Sequence, residues 1–222
     1  MPEMDSRIYT IGTPPPKQKV RIRISDIELQ HLFIAWIAIS TAFAFMLSGS
    51  GRFNPFSEIV IRHFIVSLFT VGIGFLLHEL AHKVVAQQYG LWAEFRMSPT
   101  LLMFAVGVAY LAGWVFAAPG AVYISGSYIS SEQNGRIAAA GPLMNVLLAL
   151  IFWMIAMDRE FVGGLGAYGW LTISLGIQIN LWLAAFNMLP FSVLDGKKVL
   201  AWSKPAFAGI FLLIILAWKI LM

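Results

Sequence analysis

Five stretches of this chain are long and apolar enough to be membrane helices: roughly residues 31–49, 63–86, 137–157, 165–189 and 206–222. A spanning helix needs about 20 apolar residues. A sixth apolar stretch, "LLMFAVGVAYLAGWVFAAPG" (101–120), reads either as another span or as a re-entrant hairpin. Gly107 and Gly113 allow a turn within it, and Pro119-Gly120 closes it. Ahead of the first helix, Val20, Ile22 and Ile24 alternate with Arg21, Arg23 and Ser25. That period of two predicts a short strand with one apolar face, at the membrane surface. The expected fold is an all-α polytopic membrane protein with five to six transmembrane helices and a small membrane-associated β element. Residues 1–30 form a cytoplasmic tail carrying the strand. Residues 31–222 form one membrane domain with a core at about 63–200, and 101–118 is read as an inserted hairpin that dips into the membrane.

Composition sharpens this. Of 222 residues, 59% are hydrophobic and only 12% are charged, against roughly 25% charged in soluble domains. Mean hydropathy is +0.78. Most of the surface must therefore face lipid. The polar, proline-rich beginning lacks the apolar segment of a signal peptide. Cysteine is absent, so disulfides are excluded and a transition-metal site has to use histidine and carboxylate ligands. The formal charge of +4 is weak support for nucleic-acid binding in such a chain, and no nucleic-acid or nucleotide partner is expected.

The placement of basic residues arbitrates topology, because cytoplasmic loops are enriched in Lys and Arg. With the N-terminus inside and 101–120 not crossing, eleven of the 15 basic residues lie inside: Arg7, Lys17, Lys19, Arg21, Arg23, Lys83, Arg96, Arg136, Lys197, Lys198 and Lys204. Arg52, Arg62, Arg159 and Lys219 lie outside. If 101–120 crosses, the split falls to nine and six. The non-crossing arrangement is preferred.

One span carries unexpected chemistry. In "VGIGFLLHELAHKVVAQQYG" (71–90), an apolar helix holds His78, Glu79 and His82. Residues four apart differ by about 40° around a helix and sit about 6 Å apart along it, so both imidazoles can reach one metal ion. Glu79 lies too far round to join them as a ligand, but it reaches a water on the same ion. This is the His-Glu-x-x-His pattern of zinc hydrolases. The plainer reading makes these groups interfacial residues at a helix end. An ionisable group in a spanning helix costs about 2.5–3.5 kcal/mol on insertion scales and usually marks function, which favours the metal site.

Catalytic zinc usually takes three protein ligands and leaves a position open. His31 and His63 stand at helix entries, where interfacial roles suit them better. Asp195, in "FNMLPFSVLDGKKVL" (186–200), is the stronger candidate, although alone it reads equally as a helix N-cap or a partner of Lys197 or Lys198. In the non-crossing topology the 63–86 and 165–189 helices run the same way. Asp195 then arrives on the side where His78 and His82 sit.

Three motifs in this order resemble the site-2 proteases, intramembrane zinc metalloproteases: "HELAH" (78–82), "AAGPLMN" (139–145) and "NMLPFSVLDG" (187–196). The resemblance spans about 63 to 200. It implies one Zn²⁺ per chain held by His78, His82 and Asp195, with Glu79 activating water. It also implies that Asn187 binds substrate near the metal and that Asn145 is a second membrane-embedded substrate-site asparagine, with interhelical hydrogen bonding as the alternative for both. Gly141-Pro142 would open its helix. "APGAVYIS" (118–125) looks like the family's edge strand, which can hold an extended substrate by strand addition. The inserted apolar stretch departs from the family's usual link. No regulatory domain is expected in a chain of this length.

The expected activity is hydrolysis of peptide bonds within transmembrane segments of membrane-protein or peptide substrates, in the bilayer, with the N-terminus and active site towards the cytoplasm. The rivals are a catalytically inactive metal-binding or metal-transport protein, and a structural module in which the polar groups only tie helices together.

Overall fold

The computed structural model describes residues 22–49, 54–115, 120–126, 128–191 and 193–222. Five helices in it are long and apolar enough to cross a membrane. They are α1 (Asp26–Ser48), the composite helix Glu58–Gln88, α5 (Ser131–Met157), α7 (Gly166–Asn187) and α9 (Lys204–Leu221). The composite helix comprises α2 (Glu58–Ser67), a π-helical segment (Leu68–Gly72) and α3 (Ile73–Gln88). Between α3 and α5 lie β1 (Trp92–Met97), α4 (Pro99–Ala112) and β2 (Gly120–Ser125). The short helix α6 (Arg159–Gly164) leads into α7, and α8 (Asp195–Trp202) into α9.

Helix starts differ from the hydropathy boundaries because capping, not hydropathy, sets them. Ser25 accepts the Glu28 N–H at 3.1 Å and begins α1, five residues ahead of the expected boundary. Residues 22–25 form no strand. The earlier part of the expected strand lies outside the described residues. Ser130 and Gln133 form a reciprocal capping box that starts α5 six residues before its apolar run. Gly141-Pro142 is therefore in mid-helix and does not open it.

The two strands pair antiparallel, with Trp92 opposite Ser125 and Met97 opposite Gly120. This register brings the two ends of the 98–119 segment together, so the chain returns to the level it left. Within that segment, α4 is a single helix of 14 residues, about 21 Å long and too short for a core of about 30 Å. It packs along α1.

Two hydrophobic clusters flank α3. One joins α1, the π segment, α3 and β1 through Leu32, Ile39, Phe43, Val71, Phe75 and Phe95. The other joins α5, α7, α8 and α9. The π turn has a visible packing role: the Trp36 indole donates to the Leu68 carbonyl at 3.0 Å. A Cβ on Gly72 would meet that indole at 2.5 Å. Widening of the helix by a π turn is often found near functional sites.

Side chains close the outer edge of β1. Glu28 accepts the Phe95 N–H at 2.9 Å, Gln87 donates to the Ala93 carbonyl at 3.2 Å, and His31 accepts the Met97 N–H at 3.4 Å. Glu28 also pairs with Lys83, and both are essentially inaccessible. Lys83 is thus no free charge at the membrane surface. A buried pair is costly to desolvate, and removing one partner typically costs about 3–5 kcal/mol. The pair fixes α1 and β1 against α3.

Candidate metal centre

α3 places His78 and His82 one turn apart on one face, with their Nε2 atoms 3.0 Å from each other. The chain leaves α7 at Asn187, turns at Met188 and re-enters as α8, whose first residue is Asp195. Met188 is fully buried at the start of that turn. A Cβ on Gly196 would collide with the Met188 carbonyl, so glycine lets α8 fold tightly back on the end of α7. Asp195 Oδ2 then stands 3.3 Å from His78 Nε2 and 3.2 Å from His82 Nε2.

The outer nitrogens of both rings are engaged. His78 Nδ1–H donates to Asn145 Oδ1 at 2.6 Å, and His82 Nδ1–H donates to the Ile137 carbonyl at 2.7 Å. Each imidazole therefore turns an Nε2 lone pair inwards, the usual arrangement for metal-ligating histidines. Two nitrogen lone pairs and a carboxylate oxygen converge with no proton of their own to share, which favours a cation between them. Tetrahedral zinc with bonds of about 2.0–2.1 Å has donor separations of about 3.3–3.4 Å. The observed triangle fits that face.

α5 supplies the space. A Cβ on Gly141 would stand 2.5 Å from Nε2 of both His78 and His82, so only glycine leaves the donor face open. Pro142 lacks an N–H and crowds the preceding turn. The carbonyl that receives His82 belongs to Ile137, in that same stretch of α5.

Glu79 Oε2 accepts the Val122 N–H of β2 at 3.2 Å. Asn187, half-buried at the end of α7, donates to the Leu183 carbonyl at 3.0 Å. Asn145 ties α5 to α3 and α7. It is fully buried, its oxygen faces His78, and its amide donates to the Gly74 carbonyl (3.1 Å) and Asn180 Oδ1 (2.9 Å). With both ends of its carboxamide engaged, it has no donor to offer a substrate. His63 pairs with Ser48 at 2.8 Å and His31 with β1, away from the cluster. Among the described residues, His78, His82 and Asp195 form the one group able to hold a metal. The reading from sequence missed the Ile137 carbonyl, the space at Gly141 and the buried Asn180. Only Asn180 carried a signal, as an amide in an apolar stretch.

A multi-span membrane protein with a buried two-imidazole, one-carboxylate cluster beside a glutamate has the makings of a membrane metallohydrolase. The profile of peptidase family M50 matches residues 66–167, and the chain belongs to this family, the site-2 proteases. The match includes His78, Glu79, His82 and Asn145 but not Asp195 or Asn187. Two proteins named putative zinc metalloprotease are similar to it. MJ0611 of Methanocaldococcus jannaschii is 42% identical over 181 residues, covering 82% of this chain and 87% of that protein. YwhC of Bacillus subtilis is 28% identical over 145 residues, covering 59% and 65%. Zinc metalloprotease MJ0392 of M. jannaschii is 29% identical over 126 residues, 56% of this chain but only 30% of its own length. The chain thus spans less than two thirds of the latter two. No solved structure matches it.

Gly141→Ala is expected to weaken zinc binding on the order of 100-fold, the upper range for disturbing the surroundings of metal ligands. Gly107→Ala, where a Cβ meets nothing within 4 Å, is the control. Metal content after dialysis checks both. Equal zinc in the two variants contradicts the assigned space.

Proposed function

We propose that this metalloprotease is an intramembrane zinc endopeptidase that cuts peptide bonds within transmembrane segments of membrane proteins. The observation that carries the reading is the near-equilateral donor triangle of His78, His82 and Asp195, with the Glu79 carboxylate beside it on an apolar helix.

His78, His82 and Asp195 hold the zinc. Bound there, zinc lowers the pKa of a water and polarises a carbonyl. Asn145 and the Ile137 carbonyl keep both imidazoles in the ligating tautomer. Glu79, one residue from His78, is the general base that takes a proton from the attacking water and returns it to the leaving amine. Asn187 positions the substrate from the end of α7.

Substrate backbone within a spanning helix is protected by its own hydrogen bonds, so the cleaved segment has to be extended. The sheet supports this directionally. The β1 edge is closed by Glu28, Gln87 and His31, whereas on β2 the Val122 N–H is held by Glu79 itself. A peptide adding to β2 takes that N–H from Glu79 and lies against the base.

The membrane-facing topology belongs to the same proposal. The stretch that holds α4 does not cross the membrane, and the N-terminus and metal site face the cytoplasm. Removing the buried Lys83 from the eleven inner basic residues leaves ten against four outside, so the charge bias still supports this orientation. A metal transporter would need polar groups along a path through the helices. Among the described residues the metal-binding groups gather at one place, which favours the enzyme.

Incubation of the purified chain with a single-span substrate, with and without a chelator, tests the activity. Cleavage is expected and chelator abolishes it; zinc bound without cleavage supports the silent metal-binding protein. Glu79→Gln is expected to retain zinc while losing about 10²–10⁴-fold in rate, and His82→Ala to lose zinc. Wild-type cleavage by the glutamine variant overturns the base assignment. The chain has no cysteine, so single-cysteine labelling reads orientation cleanly. A membrane-impermeant thiol reagent is expected to reach Asn54→Cys in intact cells and Lys197→Cys only after permeabilisation. The reverse pattern overturns the orientation.

A further inference from the structure

Beyond the three ligands and the base, α7 contributes a buried amide. Asn180 is fully inaccessible in the middle of its helix. Its Nδ2 donates to the Gly176 carbonyl at 2.8 Å, one turn back. This fixes which end of the carboxamide faces α5, and that end is the oxygen. Asn180 Oδ1 accepts from Asn145 Nδ2 at 2.9 Å, beside the Gly74 carbonyl, which accepts from the same nitrogen at 3.1 Å. Two acceptors on one side hold the Asn145 nitrogen there. Its oxygen must then face His78 Nδ1. A reversed Asn145 would set its oxygen against two other oxygens. It would also present N–H groups to His78, and that ring could answer only as the tautomer protonated on Nε2, which cannot ligate. α3 makes room for the relay, since a Cβ on Gly74 would stand 2.7 Å from Asn180 Oδ1.

We infer that Asn180 is a positioning residue for the metal: through Asn145 it holds His78 in the tautomer that leaves Nε2 free to bind zinc. Its effect runs from the α7 backbone through two amides to one ring nitrogen, across three helices, and it touches neither metal nor substrate. This rests on the metal site proposed above.

The test compares wild type, Asn180→Leu and Asn180→Asp in detergent. Zinc dissociation constants come from chelator competition, and the ¹⁵N imidazole spectrum of the metal-free protein reports the tautomer. The leucine variant keeps the bulk and loses the acceptor. It is expected to bind zinc about 10–100-fold more weakly, the range for partners of metal-bound histidines, and to lose the Nδ1–H signature of His78. In the Asn180→Asp variant a protonated carboxyl group accepts from Asn145 and donates to the Gly176 carbonyl, so this substitution is expected to preserve both. If the leucine variant does not fold, Asn180→Ser serves: its hydroxyl reaches Gly176 but not Asn145, and the same weakening is expected. Wild-type zinc affinity and tautomer in the leucine or serine variant, with only a lower melting temperature, reduce Asn180 to an interhelical tie and overturn the inference. A wild-type chain that binds no zinc overturns the metal site itself, and this assignment with it.

Discussion

Three electron-pair donors brought within 3.0–3.3 Å of one another in apolar surroundings repel unless a cation lies among them. The packing of the chain holds that unfavourable geometry in place. α3 supplies two imidazoles, the tight turn from α7 into α8 supplies the carboxylate, and α5 packs against both. The free energy released when a cation enters is therefore coupled to the association of these helices. Metal sites of this kind stabilise the fold they depend on.

The helices around the cluster contribute mostly by what they lack. Gly141 leaves open the volume into which both Nε2 atoms point, Gly196 lets the turn close on Asp195, and Gly74 admits Asn180. In a membrane, close helix approach generally relies on such small residues, with amides as interhelical ties. Here the ties also select ring tautomers. On the other flank, the Lys83–Glu28 pair and the capped β1 edge hold the sheet against α3, with the Val122 N–H of β2 on the Glu79 carboxylate.

The spans and the gathering of His78, His82 and Asp195 were readable in the sequence because each rests largely on a local rule. Apolar length marks the helices, and the spacing of His78 and His82 puts them on one face. Asp195 needed topology as well as sequence. The misjudged features depend on long-range contacts. Lys83 looks like a loop cation until Glu28, 55 residues away, is seen to bury it. Asn145 looks available to a substrate until its oxygen is found on His78. The Ile137 carbonyl is a backbone atom with no sequence signature at all. Helix starts were missed where polar caps, such as Ser130 with Gln133, precede the apolar run.

X-ray absorption at the zinc edge of the loaded wild-type protein tests the central claim most directly. With four histidines and no cysteine in the chain, the account predicts a low-coordinate nitrogen and oxygen shell at about 2.0–2.1 Å with the outer-shell scattering of two imidazoles. A shell with one imidazole or none, or with more than two, contradicts it.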